Sequence, residues 1–408
     1  MSLKVWAFAW RSLVRQPGRA LLGVLGIAAV GALLFDMLLL SRGLLVSLRT
    51  ILDAAGFDVR VTAGDGPVAA GPRIASAGPA IAALRALPEV DEVVAMRFGE
   101  ATATGIDGRA RTLYFVGADP GRRRPWTLLD GTEPPGRGDG AVPSLVVNRN
   151  LATALGLTLE GGPRAREVSL RADCSPETSA LPPTRFRVTG IAAFPFDDPK
   201  ALTAATGRAD FRRACGLEDR DDADLLLVAS REGDGPVAAV QAIRAARPDL
   251  HAFTNEELVA RFQRTGFSYF RQISTVLSSI TLFFGFLLIA VLLTVTVNQR
   301  FGEIAALRAL GFSRRRVVED VLGQAVLLVG AGGLLSLPLG LALSRWLERI
   351  LHQMPEIPAR MHFFVFEPRA LAVHAFLLAL TALLAAIYPM RLVARLPIAA
   401  TLRSETVT

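Results

Sequence analysis

The chain has 408 residues, of which 51% are hydrophobic, with a mean hydropathy of +0.39 and a net charge of +8. These values argue against a soluble enzyme and for a membrane protein. The charge does not indicate a nucleic-acid partner. Residues 41–270 hold 28 basic and 29 acidic side chains out of 45 and 37, so the excess lies in the apolar remainder, where Lys and Arg set membrane orientation.

In residues 1–19, Leu3, Trp6, Trp10 and Leu13 fall on one helical face, with Lys4, Arg11 and Arg15 opposite. This predicts an amphipathic helix at a membrane surface, broken by Pro17-Gly18. Ala20–Leu40 is the first of four stretches that meet the roughly 20-residue requirement for crossing hydrocarbon; the others are Val276–Val297, Val321–Ser344 and Leu371–Leu392. No small-x-small cleavage site follows Leu40, so this first stretch reads as a retained anchor rather than a signal peptide. Asp36 lies about 26 Å along the helix from Arg19, which predicts a place at the outer interface or the base of a stalk.

Residues 41–56 and 254–275 keep helical spacing on either side of a polar region, with Thr254 and Glu257 forming a capping box. They are expected to continue the first two spans as a stalk, which would carry motion mechanically. Residues 57–253 alternate short strands and helices: "FDVRVTA", "RTLYFVGAD", "SLVVNRNLATALGL", "TRFRVTGIAAF" and "DLLLVASREGDGPVAAVQAIRAARPDL". The fold class is therefore an α-helical membrane protein with four transmembrane helices and a large α+β extracytoplasmic domain between the first and second. The run "EDRDDAD", Glu218–Asp224, lacks the glycine and distal glutamate of a calcium loop and reads as a solvated loop. Cys174 and Cys215 both fall in this outer domain, in an oxidising compartment; they are a candidate disulfide, the alternative being two unconnected thiols.

Residues 298–320 join the second and third spans and contain "FGEIAALRALGFSRRR". Ile304, Leu307 and Leu310 give an apolar side, Glu303 and Arg308 supply charge, and Gly311 can end the helix in the left-handed conformation. The Arg314–Arg316 cluster suits a cytoplasmic headgroup position. In the third span Gly332, Ser336, Gly340 and Ser344 recur every four residues, a spacing that permits close helix contact, with either this chain or a second copy as the neighbour. The basic clusters around Lys4–Arg19, Arg300–Arg316 and Arg391–Arg403 place both termini (the tail being 393–408) and the 298–320 loop inside. The 345–370 loop, with Arg345, Arg349, Arg360 and Arg369, dissents.

Enzyme chemistry finds little footing. The two lysines, Lys4 and Lys200, do not follow a glycine, so no Walker-type phosphate loop can form. The four histidines match no HExxH pattern, and there is no G-x-S-x-G elbow. No catalytic, metal-binding or cofactor residue is expected.

"GEIAALRALGFSRRRV" resembles the signature between the second and third spans of MacB/FtsX-type (type VII) ABC-transporter permeases. "LYFVGADP", "LVVNRNLATALGL" and "FRVTGIAAF" are similar in order to the strands of that family's periplasmic core, and "LPIAATLRSE" resembles its closing segment. The resemblance implies that Glu303, Ile304, Leu307, Arg308, Leu310 and Gly311 form a coupling helix for an ABC ATPase subunit, which would carry the ATP and Mg. It also implies a non-catalytic permease in a homodimer or heterodimer, mechanotransmission, and location in the bacterial inner membrane among its lipids. A periplasmic adaptor is a further expected partner, and the cargo class is a lipid, lipoprotein, peptide or hydrophobic small molecule. Two other readings remain: a permease that controls cell-wall hydrolases, and a membrane-anchored sensor without an ATPase, which leaves the Glu303–Leu310 helix without a purpose.

Overall fold

The computed structural model describes residues 10–11, 13–15, 17–65, 71–104, 108–134, 142–157, 166–174, 181–265, 268–299, 314–354, 361–366 and 368–395. The chain separates into two compact units: residues 1–44, 267–350 and 362–408 form one, and residues 45–266 with 351–361 the other. Helix α1, Pro17–Asp53, contributes to both.

The second unit follows α1 with β1 (Val59–Thr62), α2 (Ala77–Arg85), β2 (Val90–Thr104), β3 (Ala110–Ala118), β4 (Thr127–Gly131) and β5 (Ser144–Val147). Then come α3 (Arg149–Leu155), β6 (Glu167–Asp173), β7 (Thr184–Ala193), β8 (Thr203–Gly207), α4 (Arg208–Ala214), β9 (Leu225–Ser230), α5 (Gly235–Ala246), β10 (His251–Thr254) and α6 (Asn255–Thr265). Five of the strands are those the sequence patterns mark. The hub is the 15-residue β2, whose charged residues Asp91, Glu92, Arg97 and Glu100 hide it from a hydrophobicity reading.

Strand β2 pairs with β9 through its first half and with β6 through its second, while β3 takes its other edge. The order β2-β3-β8-β5-β7-β6 therefore closes on itself, since β6 pairs with both β7 and β2. Closure leaves these strands without an open edge. The enclosed core is filled by Leu113, Phe115, Leu145, Phe186 and Phe211, with α3 and α4 packed against it. Phe211 stacks on Phe115 at 4.8 Å between ring centroids, and it approaches so near to Gly117 that a Cβ there would lie 2.5 Å from its own Cβ. Cys174 and Cys215 are joined in a disulfide beside this core, closing a 41-residue separation.

The other lobe runs β10-β1-β9-β2 with α2 and α5 on one face. Along β9, Leu226 and Val228 face those helices while Leu225, Leu227 and Ala229 enter a second core around Trp126 and Phe57. Both faces are covered, which explains the unbroken apolar run of this strand.

Glu218–Arg220 is exposed, as the solvated-loop reading has it, but Asp221–Asp224 corrects that reading. Arg97, fully buried, meets Asp224 at 2.8 Å and Asp222 at 3.3 Å; Asp224 also accepts from the Phe98 amide at 2.7 Å, and Asp221 from that of Gly78 at 2.6 Å. A buried guanidinium requires such carboxylates, so Asp222 and Asp224 anchor the β2 hub.

The first unit contains α1, α7 (Ser268–Asn298), α8 (Arg314–Leu351) and α9 (Pro368–Arg395). Each holds a stretch long and apolar enough to cross a membrane: Pro17–Asp53, Gln272–Asn298, Leu322–Leu351 and Pro368–Arg391. Their shared core centres on Leu34, Ile289, Leu293, Ala325, Ala385 and Ala386. The surface-helix reading of residues 2–16 lies largely outside the described residues, as does the tail at 393–408, of which only 393–395 are described, as the end of α9.

Candidate functional site

The four-residue stripe on α8 faces α1 and α9 of the same chain. A Cβ at Gly332 would lie 2.7 Å from Ile27 and 3.1 Å from the Val24 carbonyl; one at Gly340 would lie 3.0 Å from Phe35 and 3.1 Å from the Ala32 carbonyl. Ser336 bonds His374 of α9 at 2.9 Å and sits against Gly31, while Ser344 donates to Asp36 at 2.6 Å. Small residues let the backbones approach, and the two serines supply hydrogen bonds to the polar groups which that approach encloses. Of the two neighbours the spacing left open, the described contacts are with this chain. Asp36 is 1% exposed, enclosed among helices of this unit.

The residues of the expected coupling helix, Glu303, Ile304, Leu307, Arg308, Leu310 and Gly311, lie outside the described residues. What flanks them is defined. Helix α7 ends at Asn298 and α8 begins at Arg314, so both ends of the segment are helix termini. Arg19 of α1 donates to the side chain of Gln299 and, at 3.3 Å, to Thr296. It thereby holds the end of α7 from which the segment departs. Sequence reasoning counted Arg19 only as topological charge; no local pattern marks a contact 280 residues away.

In the other unit the end of α1 is tied to the start of α6. Thr254 and Glu257 make the reciprocal box that their spacing predicts, at 3.0 and 3.4 Å. Between them Asn255, 5% exposed, donates to Asp53 at 2.6 Å and to the Phe57 carbonyl at 2.9 Å, and accepts from Arg60. Arg60 also reaches the Leu52 carbonyl at 3.3 Å. Burial lowers the Arg60 pKa to about 10, against the pull of Asp53, and it remains a cation at neutral pH. Two helix ends far apart in sequence are thus fixed by one amide side chain.

Beside this clamp is a cleft of about 490 Å³. Arg49, Arg123 and Arg231 line it together with Asp53, Asp58, Glu232 and Glu256, so it offers no field of one sign to a charged ligand.

Four apolar helices with a mixed α/β domain inserted between the first and second define a multi-pass membrane protein. Residues 275–398, which span the last three apolar helices, match the FtsX-like permease C-terminal family. No curated protein matches the chain in sequence. Among solved structures, the extracellular domain of the noncanonic ABC-type transporter YknZ from Gram-positive bacteria is similar at 12% identity and a TM-score of 0.34, covering 48% of this chain and 98% of that one. The periplasmic region of MacB from Actinobacillus actinomycetemcomitans is similar at 10% identity and 0.37, covering 52% and 97%. A domain of a putative permease from Porphyromonas gingivalis is similar at 15% identity and 0.32, covering 48% and 88%.

Proposed function

We propose that the chain is the permease subunit of an ABC transporter, driven by a separate ATPase chain that binds the ATP and Mg. The observation that carries this reading is the match of residues 275–398 to the FtsX-like permease C-terminal family, a stretch which contains the charged segment 301–313 between two membrane-length helices. In this reading Glu303–Gly311 docks on the ATPase, with Leu307 filling an apolar groove and Glu303 and Arg308 orienting the helix. Arg19 keeps the segment in register with α1. Motion imposed at the segment passes along α7 and α1, and the Asn255 clamp makes the ends of α1 and α6 move together. The work done is mechanical movement of the outer domain, serving export or extraction of a lipid, lipoprotein, peptide or hydrophobic small molecule. Two permease copies, the inner membrane with the 298–320 loop inside, and a periplasmic adaptor complete the proposed assembly.

The experiment is co-purification of the full-length chain with the P-loop ATPase of the same cells, comparing wild type and Leu307→Asp. Losing a buried apolar anchor costs about 2 kcal/mol or more, roughly thirtyfold in affinity. Recovery of the complex and permease-stimulated ATP hydrolysis should both fall. If both are unchanged, the coupling role is wrong.

A further inference from the structure

Three of the four arginines that dissent from the charge-based orientation, Arg345, Arg349 and Arg369, have a shared position; Arg360 lies outside the described residues. Arg345 and Arg349 lie one helical turn apart on α8, and both are exposed. Arg369 is exposed at the start of α9. The register between these helices follows from Ser336 against His374 and Gly333 against Leu378, which sets Phe366 level with about the 344–345 turn and Arg369 about one turn deeper. Among the described residues no carboxylate lies within ion-pair distance of any of the three, and Glu348 on the same turn of α8 is engaged by His362 at 3.0 Å. Beside them Trp346 is 53% exposed, Phe366 55% and Ile350 38%.

The depth of this group can be counted. From Arg316 to Arg345 is about 44 Å of helix, close to the roughly 40–45 Å of a bilayer with its headgroup layers. With Arg314–Arg316 in one headgroup layer, Arg345, Arg349 and Arg369 stand in the opposite one. Cations there, among aromatic side chains suited to the interface, match the phosphates of a negatively charged lipid surface.

We propose that this end of α8 and α9 binds anionic phospholipid headgroups, Arg345, Arg349 and Arg369 holding the phosphates and Trp346 and Phe366 lying at the boundary with the acyl chains. The face would enrich anionic lipid around the protein in the leaflet remote from Arg314–Arg316, which explains why basic residues are tolerated on that side. The inference requires only that the chain spans a bilayer; it is independent of any ATPase.

The test uses the full-length protein in nanodiscs of phosphatidylcholine, doped at equal mole fraction with phosphatidylcholine or phosphatidylglycerol brominated near the top of the acyl chain. The emission lost in Trp346→Phe identifies the Trp346 signal. Near a surface one arginine contributes roughly fivefold enrichment of anionic lipid, so Trp346 should be quenched severalfold more by the brominated phosphatidylglycerol. In R345Q/R349Q/R369Q that preference should vanish while quenching by brominated phosphatidylcholine persists. Equal quenching by the two lipids in the wild type overturns the proposal, as does no quenching by either. These wild-type outcomes decide the matter even if the triple variant fails to fold. A preference that survives in a folded triple variant would also overturn it, since the arginines would not be its source.

Discussion

The Ser344 hydroxyl donates a 2.6 Å hydrogen bond to Asp36, joining α8 to α1 at a point where both side chains are buried. Removing the donor leaves a carboxyl group without it, at a cost of about 1–3 kcal/mol. Ser344→Ala should therefore melt measurably earlier in detergent. Asp36→Leu combined with Ser344→Ala should recover most of the loss, because both halves of the polar pair are then gone. Additive effects of the two changes would show that the bond contributes nothing.

Two glycines on α8 should respond in opposite ways to an added side chain. Gly340 packs against Phe35 and the Ala32 carbonyl, and backbone cannot move aside as a side-chain tip can. Gly340→Val should destabilise the helix bundle by about 1–3 kcal/mol through overpacking. At Gly330 an added Cβ would meet nothing within 4 Å, so Gly330→Ala should be neutral or gain up to about 1 kcal/mol in helix propensity. Equal melting shifts for the two variants would contradict the close contact between α8 and α1.

Asn255→Ala removes the bonds to Asp53 and Phe57 and deprives buried Arg60 of a partner. A loss of about 2–4 kcal/mol is expected, more than for an exposed cap. Limited proteolysis should show faster cutting near residues 53–57, while Asn255→Asp, which keeps an acceptor for Arg60, should be milder. Identical proteolysis rates in all three proteins would remove the clamp from the account.

Asp197 accepts from Asn148 and Thr203, each at 2.6 Å, and burial pushes its pKa above the usual carboxylate value. The folded state therefore holds this proton more tightly than the unfolded chain. Its contribution is present at low pH and is lost as pH rises from about 4, the unfolded carboxylate value, through the raised one. Thermal melts should show wild type losing stability relative to Asp197→Asn across that window. A flat or rising difference would reverse the assignment.

Several elements could be read locally because local physics decides them. The four apolar stretches follow from length and composition, and the Thr254–Glu257 box from a three-residue spacing. The strand–turn–helix at 224–250 follows from an apolar run ended by Gly and Pro. The register of small residues on α8 is equally plain, but its partner is not: periodicity defines a face, not what lies against it.

Strand β2 shows where sequence reasoning stops. Its charges look like those of a loop until Arg97 is seen between Asp222 and Asp224, more than 120 positions away. The same distance problem hid the roles of Arg19 and Asn255, whose partners lie 280 and 202 positions along the chain. Membrane span, turn chemistry and capping depend on neighbours within a few residues, so the sequence alone determined them. The closed ring of strands, the ion pairs beneath it and the ties between helix ends depend on long-range contacts. Their stability exists only once the whole chain has buried the groups involved, and so the tertiary structure alone decided them.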